Sequence, residues 1–182
     1  MELRSACSVS EYRVDELTIQ PFDVEKDAEV LRRIVAEVFG GGFGALMEQE
    51  FGVIGGRPWG EWQADNILAS FAPDETRSFV VRKDDEIVGF CSYVVDPARK
   101  CGQVGYNAVA REHQGKGIGS AMMKFVMARF QAEGMEYAMV LVSDNAEHAP
   151  ALRVYEKFGF QRITGYHEML QKLPLGGDQG QA

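Results

Sequence analysis

Gln114-Gly115-Lys116-Gly117-Ile118-Gly119 joins an apolar run ending at Val109 to a stretch whose apolar residues Met122, Phe125, Val126, Met127 and Phe130 recur at helical spacing until Gly134. Strand, glycine loop and helix, in that order, decide the reading of the chain. Glycine turns without a Cβ penalty and lets the backbone come close to a ligand. The unpaired N–H groups and the positive dipole end of the next helix face the same place, so the ligand it suits is an anion, above all a phosphate. A permissive turn with no ligand is the bland alternative. Two nucleotide-binding patterns fail on spacing. A P-loop needs Gly-Lys-Ser/Thr with another glycine upstream, and here Lys116 precedes Gly117 while Ala110 stands in the upstream place. A dinucleotide fingerprint needs glycine or alanine where Ser120 stands, and a fold starting near Val104 leaves too little chain for its second half.

Upstream of the loop the pattern is extended. Gln103 to Val109 follows a turn around Pro97 to Gly102, and Ser78 to Val81 and Ile87 to Val95 flank the polar turn Lys83-Asp84-Asp85-Glu86. These three predict an antiparallel meander. Leu17 to Gln20 predicts a strand, and Asp23 begins a helix with Val30, Leu31, Ile34, Val35 and Val38 on one side, stopping at Gly40 to Gly42. Between helix and meander, Phe43 to Phe71 is broken by Gly52, Gly55, Gly56 and Pro58, carries Trp59 and Trp62, and predicts two short helices.

Downstream, Ala138 to Val142 is a short apolar run of the kind found in strands covered on both faces. A helix from about Pro150 to Phe158 follows, and beyond Gly159 the runs Phe160 to Thr164 and Tyr166 to Leu170 predict two last strands. The expected fold is α+β: a mixed central sheet of about seven strands, antiparallel meander then strand-helix-strand-helix-strand, with helices on both faces. One domain over 1–182 is expected, with an ordered core of about 12–172 and a flexible tail at 173–182.

Composition narrows the function classes. A charge of -8 argues against a nucleic-acid partner, which is bound mainly through clustered Lys and Arg. It suits basic or amine substrates, or serves solubility alone. Cys7, Cys91 and Cys101 have no metal-ligand spacing and read as reduced thiols, so no metal is expected. Met1 to Ser10 lacks the apolar core of a signal peptide and no run is long enough to span a bilayer, so no membrane partner and a cytoplasmic location are expected.

Val109, Gln114, Gly117 and Gly119 also fit a strand followed by QxxGxG with a valine five residues before the glutamine, and here the sequence resembles the GNAT superfamily of N-acetyltransferases. Ala151, Tyr155, Glu156, Gly159 and Phe160 resemble that family's second signature, in the right order. The similarity covers about Leu17 to Leu170 in element order and Val104 to Phe160 in specific motifs. It implies a transferase (acyltransferase) that moves acetyl from acetyl-CoA to a primary amine of a small molecule or peptide by direct attack in a ternary complex. Dimers are frequent in the family, so it also implies a homodimer.

Residue by residue, the resemblance implies coenzyme pyrophosphate on the backbone N–H groups of Gln114, Gly115, Lys116, Gly117, Ile118, Gly119 and Ser120, and the pantetheine arm paired like a strand with Ala108 and Val109. Tyr155 is the implied catalytic residue, hydrogen-bonded to the departing thiolate. With phenol near ~10 and thiol near ~8.5, full proton donation is uphill. His148 stands where the family has an asparagine holding the pantetheine arm; it takes that contact, starts a helix or titrates near neutrality, or Asn145 takes the contact instead. The family's glutamate base aligns at about Gln103, which accepts no proton; Tyr106, Asn107, Glu61 and Asp65 are the nearby substitutes. Phe43 to Phe71 occupies the place of the acceptor pocket. The missing glutamate motivates an alternative from another class, a non-catalytic acyl-CoA-binding sensor or interaction module. A nucleotide-binding oxidoreductase is a third.

Overall fold

The computed structural model describes residues 11–41, 46, 48–50, 53–71, 76–142 and 148–163. Its chain opens on a hairpin that the sequence pattern did not predict: β1 (Tyr12–Val14) pairs antiparallel with β2 (Leu17–Pro21) across Asp15, whose φ is 53. Asp23 then caps α1 (Val24–Phe39), accepting the N–H groups of Glu25 and Lys26, and Leu31, Ile34 and Val35 form the helix's buried side. In the segment read as two short helices, residues 46 and 48–50 are helical, and a 3-10 turn at Ile54–Gly56 leads into the longer helix α2 (Trp59–Ser70). Residues 43–45, 47 and 51–52 of that segment lie outside the described residues. Gly60 brings α2 against the end of α1, because a Cβ there would sit 2.9 Å from the Ala36 carbonyl oxygen and 3.1 Å from Gly40 Cα.

The meander is β3 (Arg77–Lys83), β4 (Glu86–Asp96) and β5 (Cys101–Val109); β3 and β4 are longer at both ends than the apolar runs alone indicate, and β5 starts two residues earlier. Helix α3 (Ile118–Ala132) then crosses back to β6 (Tyr137–Val140), and α4 (Ala149–Lys157) follows. Among the described residues the sheet has six strands in the order β1-β2-β3-β4-β5-β6, all pairs antiparallel except β5 with β6. The strand order is mixed α+β as expected.

Two apolar layers flank the sheet. On one face Met122, Phe125, Val126 and Phe130 of α3 and Tyr155 of α4 meet Ile19, Val81, Cys91, Tyr93 and Val104. On the other, Leu31, Ile34 and Val35 of α1 and Ala64 and Ile67 of α2 meet Val80, Ile87, Phe90 and Ala108. Helices therefore cover both faces.

Two expectations are corrected. The run Ala138 to Val142 was expected to be covered on both faces, but only Ala138, Val140 and Val142 pack on the core, while Tyr137 and Leu141 are 67% and 69% exposed. At the end of the sheet, Ala138 and Val140 of β6 pack on the apolar layer that α3 also joins, whereas α1 contacts β4 and β5 on the other face. Phe160 to Ile163 is not a strand; the Phe160 N–H is tied to the end of α4 instead of a ladder, for reasons given below. Thr164, the run Tyr166 to Leu170, Cys7 and the tail 173–182 lie outside the described residues.

Candidate active site

The site begins with a fault in the sheet. Cys91 pairs with Asn107 and Tyr93 with Val104, so Gly105 and Tyr106 together face the single residue Ser92, a β-bulge. The buried Ser92 hydroxyl donates to the Tyr106 carbonyl at 3.1 Å, and a Cβ on Gly105 would lie 2.5 Å from that hydroxyl oxygen. Glycine is required here. Beyond the bulge, β5 also loses its other neighbour among the described residues: β6 pairs with Cys101 to Val104, and no described strand pairs with Gly105 to Val109 on that side, which opens as a gap lined by Leu141 and Val142. Ala110 N–H bonds the Val88 carbonyl, and ladder alternation from that pair turns the N–H and C=O of Ala108 toward β4 and those of Asn107 and Val109 into the gap. Ala108, expected to pair with the pantetheine arm, therefore directs its backbone elsewhere, and its side chain is buried under α1 and α2.

At the end of β5 the chain turns into the glycine loop. The Gln114 side chain donates from Nε2 to the Val109 carbonyl at 3.0 Å, clamping the loop to the strand end; such a bond contributes about 1 kcal/mol. This explains the five-residue spacing of valine and glutamine. Gly115 and Gly117 hold φ of 76 and 85, and Gly117 is the N-cap of α3. A side chain at either position would cost roughly 1–2 kcal/mol. Gly119 has no such backbone demand; its Cα faces Val154 of α4, 3.8 Å from where a Cβ would lie. The first N–H groups of α3, at Ile118, Gly119 and Ser120, point back into the loop, as helix geometry requires. Lys116 Nζ donates to the Glu112 carbonyl at 2.8 Å, so this side chain braces the loop from outside.

Helix α4 supplies Tyr155, and the end of the helix fixes its ring. Gly159, at φ 88, donates to the Glu156 carbonyl and Phe160 to the Tyr155 carbonyl at 3.1 Å, the two bonds of a Schellman motif. Its usual hydrophobic contact is present too: the Phe160 ring lies 5.8 Å from the Tyr155 ring. Tyr155, Gly159 and Phe160 thus act as one capping unit. The Tyr155 hydroxyl accepts the Asn107 Nδ2–H at 3.1 Å. Burial pushes this phenol above its ordinary range and the Asn107 hydrogen bond pulls it back part-way, so it is protonated and a donor at neutral pH. His148 occupies the N-cap of α4, with no side-chain capping bond, and faces the same cleft. Asn145 lies outside the described residues.

These parts enclose one cleft of ≈ 750 Å³. The loop and Tyr155, Arg153 and Lys157 line it from the α3 and α4 side of the sheet, Phe39, Trp59 and Gln63 from the α1 and α2 side, and Tyr106 from β5. Cys91 lies in its floor, where burial pushes its thiol up to about 12, so it is no nucleophile. Glu61 and Asp65 do not line the cleft. Glu61 borders a separate depression of ≈ 470 Å³ and lies 3.6 Å from Arg57. Asp65 is held below the usual carboxylate range by Arg32 and Arg57. Gln103 is paired with Val94 and Met139 within the sheet. Beside the loop, His113 of the cleft lining and the exposed carboxylates of Glu86 and Glu112 bring ligand atoms within 4.8 Å of one another.

Residues 43–160 match the model of the acetyltransferase (GNAT) family. The chain belongs to that family. The GNAT match contains the bulge, the glycine loop and the Tyr155 cap. A mycothiol acetyltransferase of Streptomyces griseus is 35% identical over 82 residues, 45% of this chain and 26% of that relative, so the chain spans about a quarter of its length. Among solved structures, a transcriptional regulator from Bacillus halodurans shares the fold with a TM-score of 0.62 at 18% identity, over 85% of this chain and 99% of that one. A predicted acetyltransferase from Clostridium acetobutylicum, solved with acetyl-CoA, has a TM-score of 0.57 at 14% identity, over 85% and 96%. No described helix is long and apolar enough to cross a membrane.

Sequence reasoning missed Ser92, Gly105 and the Asn107–Tyr155 bond, together with Phe39 and Gln63; Tyr106 and Asn107 were singled out only as substitutes for a carboxylate. A glycine inside a strand pattern, as at Gly105, is the one signal that marks such a bulge in advance.

Proposed function

We propose that this chain transfers an acetyl group from acetyl-CoA to a primary amine of a small molecule or peptide, by direct attack in a ternary complex. The observation that carries the reading is the Tyr155 hydroxyl, a protonated donor in the same cleft as the Gly115–Ser120 loop and the gap beside β5. The loop and the N-terminus of α3 suit the pyrophosphate, with Arg153 and Lys157 adding positive charge. The N–H groups of Asn107 and Val109 face the gap and suit an amide-bearing arm and the oxyanion of the reacting carbonyl.

In the reaction the neutral amine nitrogen attacks the thioester carbonyl carbon. The C–N bond forms, the C–S bond breaks and its electron pair goes to sulfur, where the Tyr155 O–H hydrogen-bonds the thiolate; the ammonium proton leaves through water. The other side of the cleft, with Phe39, Trp59, Gln63 and Tyr106, is where the acceptor lies.

Thermal shift with acetyl-CoA, followed by free-thiol release with a panel of amines, tests the reading in two stages. Stabilisation and thiol release with at least one amine are expected. Stabilisation without release from any amine would move the reading to a non-catalytic acyl-CoA-binding module, and no stabilisation would end it.

A further inference from the structure

We infer that Asn107 is a positioning residue, whose amide, oriented by the β5 bulge, donates to the Tyr155 hydroxyl and so leaves the phenol hydrogen to point at the sulfur in the cleft. The inference rests on the role given to Tyr155 above and adds the device that aims it.

The direction of the hydrogen bond follows from its neighbours. Asn107 Nδ2 lies 3.1 Å from the Gly105 carbonyl oxygen and 3.1 Å from Tyr155 Oη. A carbonyl only accepts, so the amide atom facing Gly105 is the NH2 group and the flip of the side chain is settled by chemistry. The same NH2 group meets Tyr155. It can only donate, so the Tyr155 oxygen is the acceptor and its single hydrogen is free for another partner.

The bulge is what makes this meeting geometrically available. Val104 and Asn107 are three residues apart, and in a regular strand an odd separation puts side chains on opposite faces. With Gly105 and Tyr106 both set against Ser92, Val104 and Asn107 instead share the face that carries α3 and α4. A flat β5 would turn Asn107 toward α1 and α2. The Ser92 bond to the Tyr106 carbonyl and the bare Cα of Gly105 hold the bulge, while the Phe160 contact holds the ring of Tyr155 from the other side. The phenol is thus located from two directions, and its hydrogen from one.

Around this phenol the titratable groups lining the cleft are Cys91 on β4, Tyr106 on β5, His113 before the loop, and His148, Arg153 and Lys157 at or on α4. Its two influences are burial, which raises its pKa, and the Asn107 N–H, which lowers it. Losing the N–H while keeping the burial therefore moves the phenol titration upward. Loosening and hydrating the ring moves it downward. A structural role for Asn107 and an aiming role have opposite signs.

The experiment uses the full chain with Asn107→Ala and the nearly isosteric Asn107→Asp, each with and without Tyr155→Phe. Phenolate absorbance titrated over the pH range of native circular dichroism, with the Tyr155→Phe curve subtracted in each background, isolates the Tyr155 phenol. Asn107→Ala is expected to raise its midpoint by roughly half a unit to one unit, and Asn107→Asp, which only accepts and draws the phenol hydrogen to itself, by more. An unchanged or lowered midpoint overturns the inference.

In turnover, Asn107→Ala is expected to lower kcat about tenfold with KM for acetyl-CoA within about twofold, and to add no further loss once Tyr155→Phe is present. Losses that multiply in the double variant overturn the inference and leave the role of Tyr155 standing. A Tyr155→Phe variant with undiminished kcat overturns both.

Discussion

On the loop side of the cleft the lining is main chain of Gly115 and of Gly117 to Ser120, joined by the α4 side chains Arg153, Tyr155 and Lys157, and on the other side it is side chains from three separate segments: Phe39 of α1, Trp59 and Gln63 of α2, and Tyr106 of β5. The loop is specified by spacing, with a glutamine that reaches back to Val109 and glycines that tolerate φ of 76 and 85. The far side is specified by how two helices are pressed together at Gly40 and Gly60. A backbone site keeps its ligand whatever its side chains are, as long as its turn is possible. A side-chain site changes ligand with each substitution.

That contrast can be broken by variants on either side. The largest effect is expected from Gly117→Val, which forces a β-branched residue into the left-handed region at the N-cap of α3. Its kcat/KM for acetyl-CoA should fall on the order of 100-fold, with the thermal shift by coenzyme lost, because the donated N–H groups lose their common direction. Wild-type coenzyme affinity in that variant would mean that the loop is not the anion site. Next comes Tyr155→Phe, on the α4 wall of the cleft, for which kcat should drop about 30-fold with both KM values within about twofold. A change confined to KM would place the hydroxyl in binding instead of the transition state.

Smaller effects sharpen the contrast. Trp59→Ala removes part of the aromatic wall and should raise KM for the acceptor about fivefold while leaving KM for acetyl-CoA unchanged; steady-state kinetics with each substrate varied separately reads this. If the acetyl-CoA term moved instead, Trp59 would belong to the donor side. Smallest of all, Lys116→Ala should stay within about twofold of wild type in every parameter. Its ammonium braces the Glu112 carbonyl, and the loop's remaining contribution is main chain. A tenfold loss would show that the lysine charge itself meets a phosphate.

The legibility of the site follows the same division. The glycine loop and the Tyr155, Gly159, Phe160 unit were readable because both are short-range devices, complete within six or seven residues. The same unit also misled: apolar Phe160 after a glycine looks like a strand start, yet its ring is spent on Tyr155 and its N–H on the end of α4. The β5 bulge was not readable because it depends on register against Ser92, 14 residues before Tyr106 in sequence, and only Gly105 hints at it. The wall of Phe39, Trp59, Gln63 and Tyr106 depends on tertiary packing alone. Glu61 and Asp65 were attractive as bases because they sit near the tryptophans in sequence, but their helix turns them to Arg57 and Arg32.

The stretch of β5 that β6 abandons is a sheet edge located inside the protein. Edges at a surface invite strand addition by other chains, and proteins guard them against it. Here α3 and α4 form the guard, and the opening they leave is ≈ 750 Å³. A slim linear chain with its own amide groups suits such an opening better than a second polypeptide strand, whose side chains project from both faces. The same unpaired hydrogen-bonding row that would be a hazard for self-association elsewhere is turned, by its enclosure, into a filter on ligand thickness.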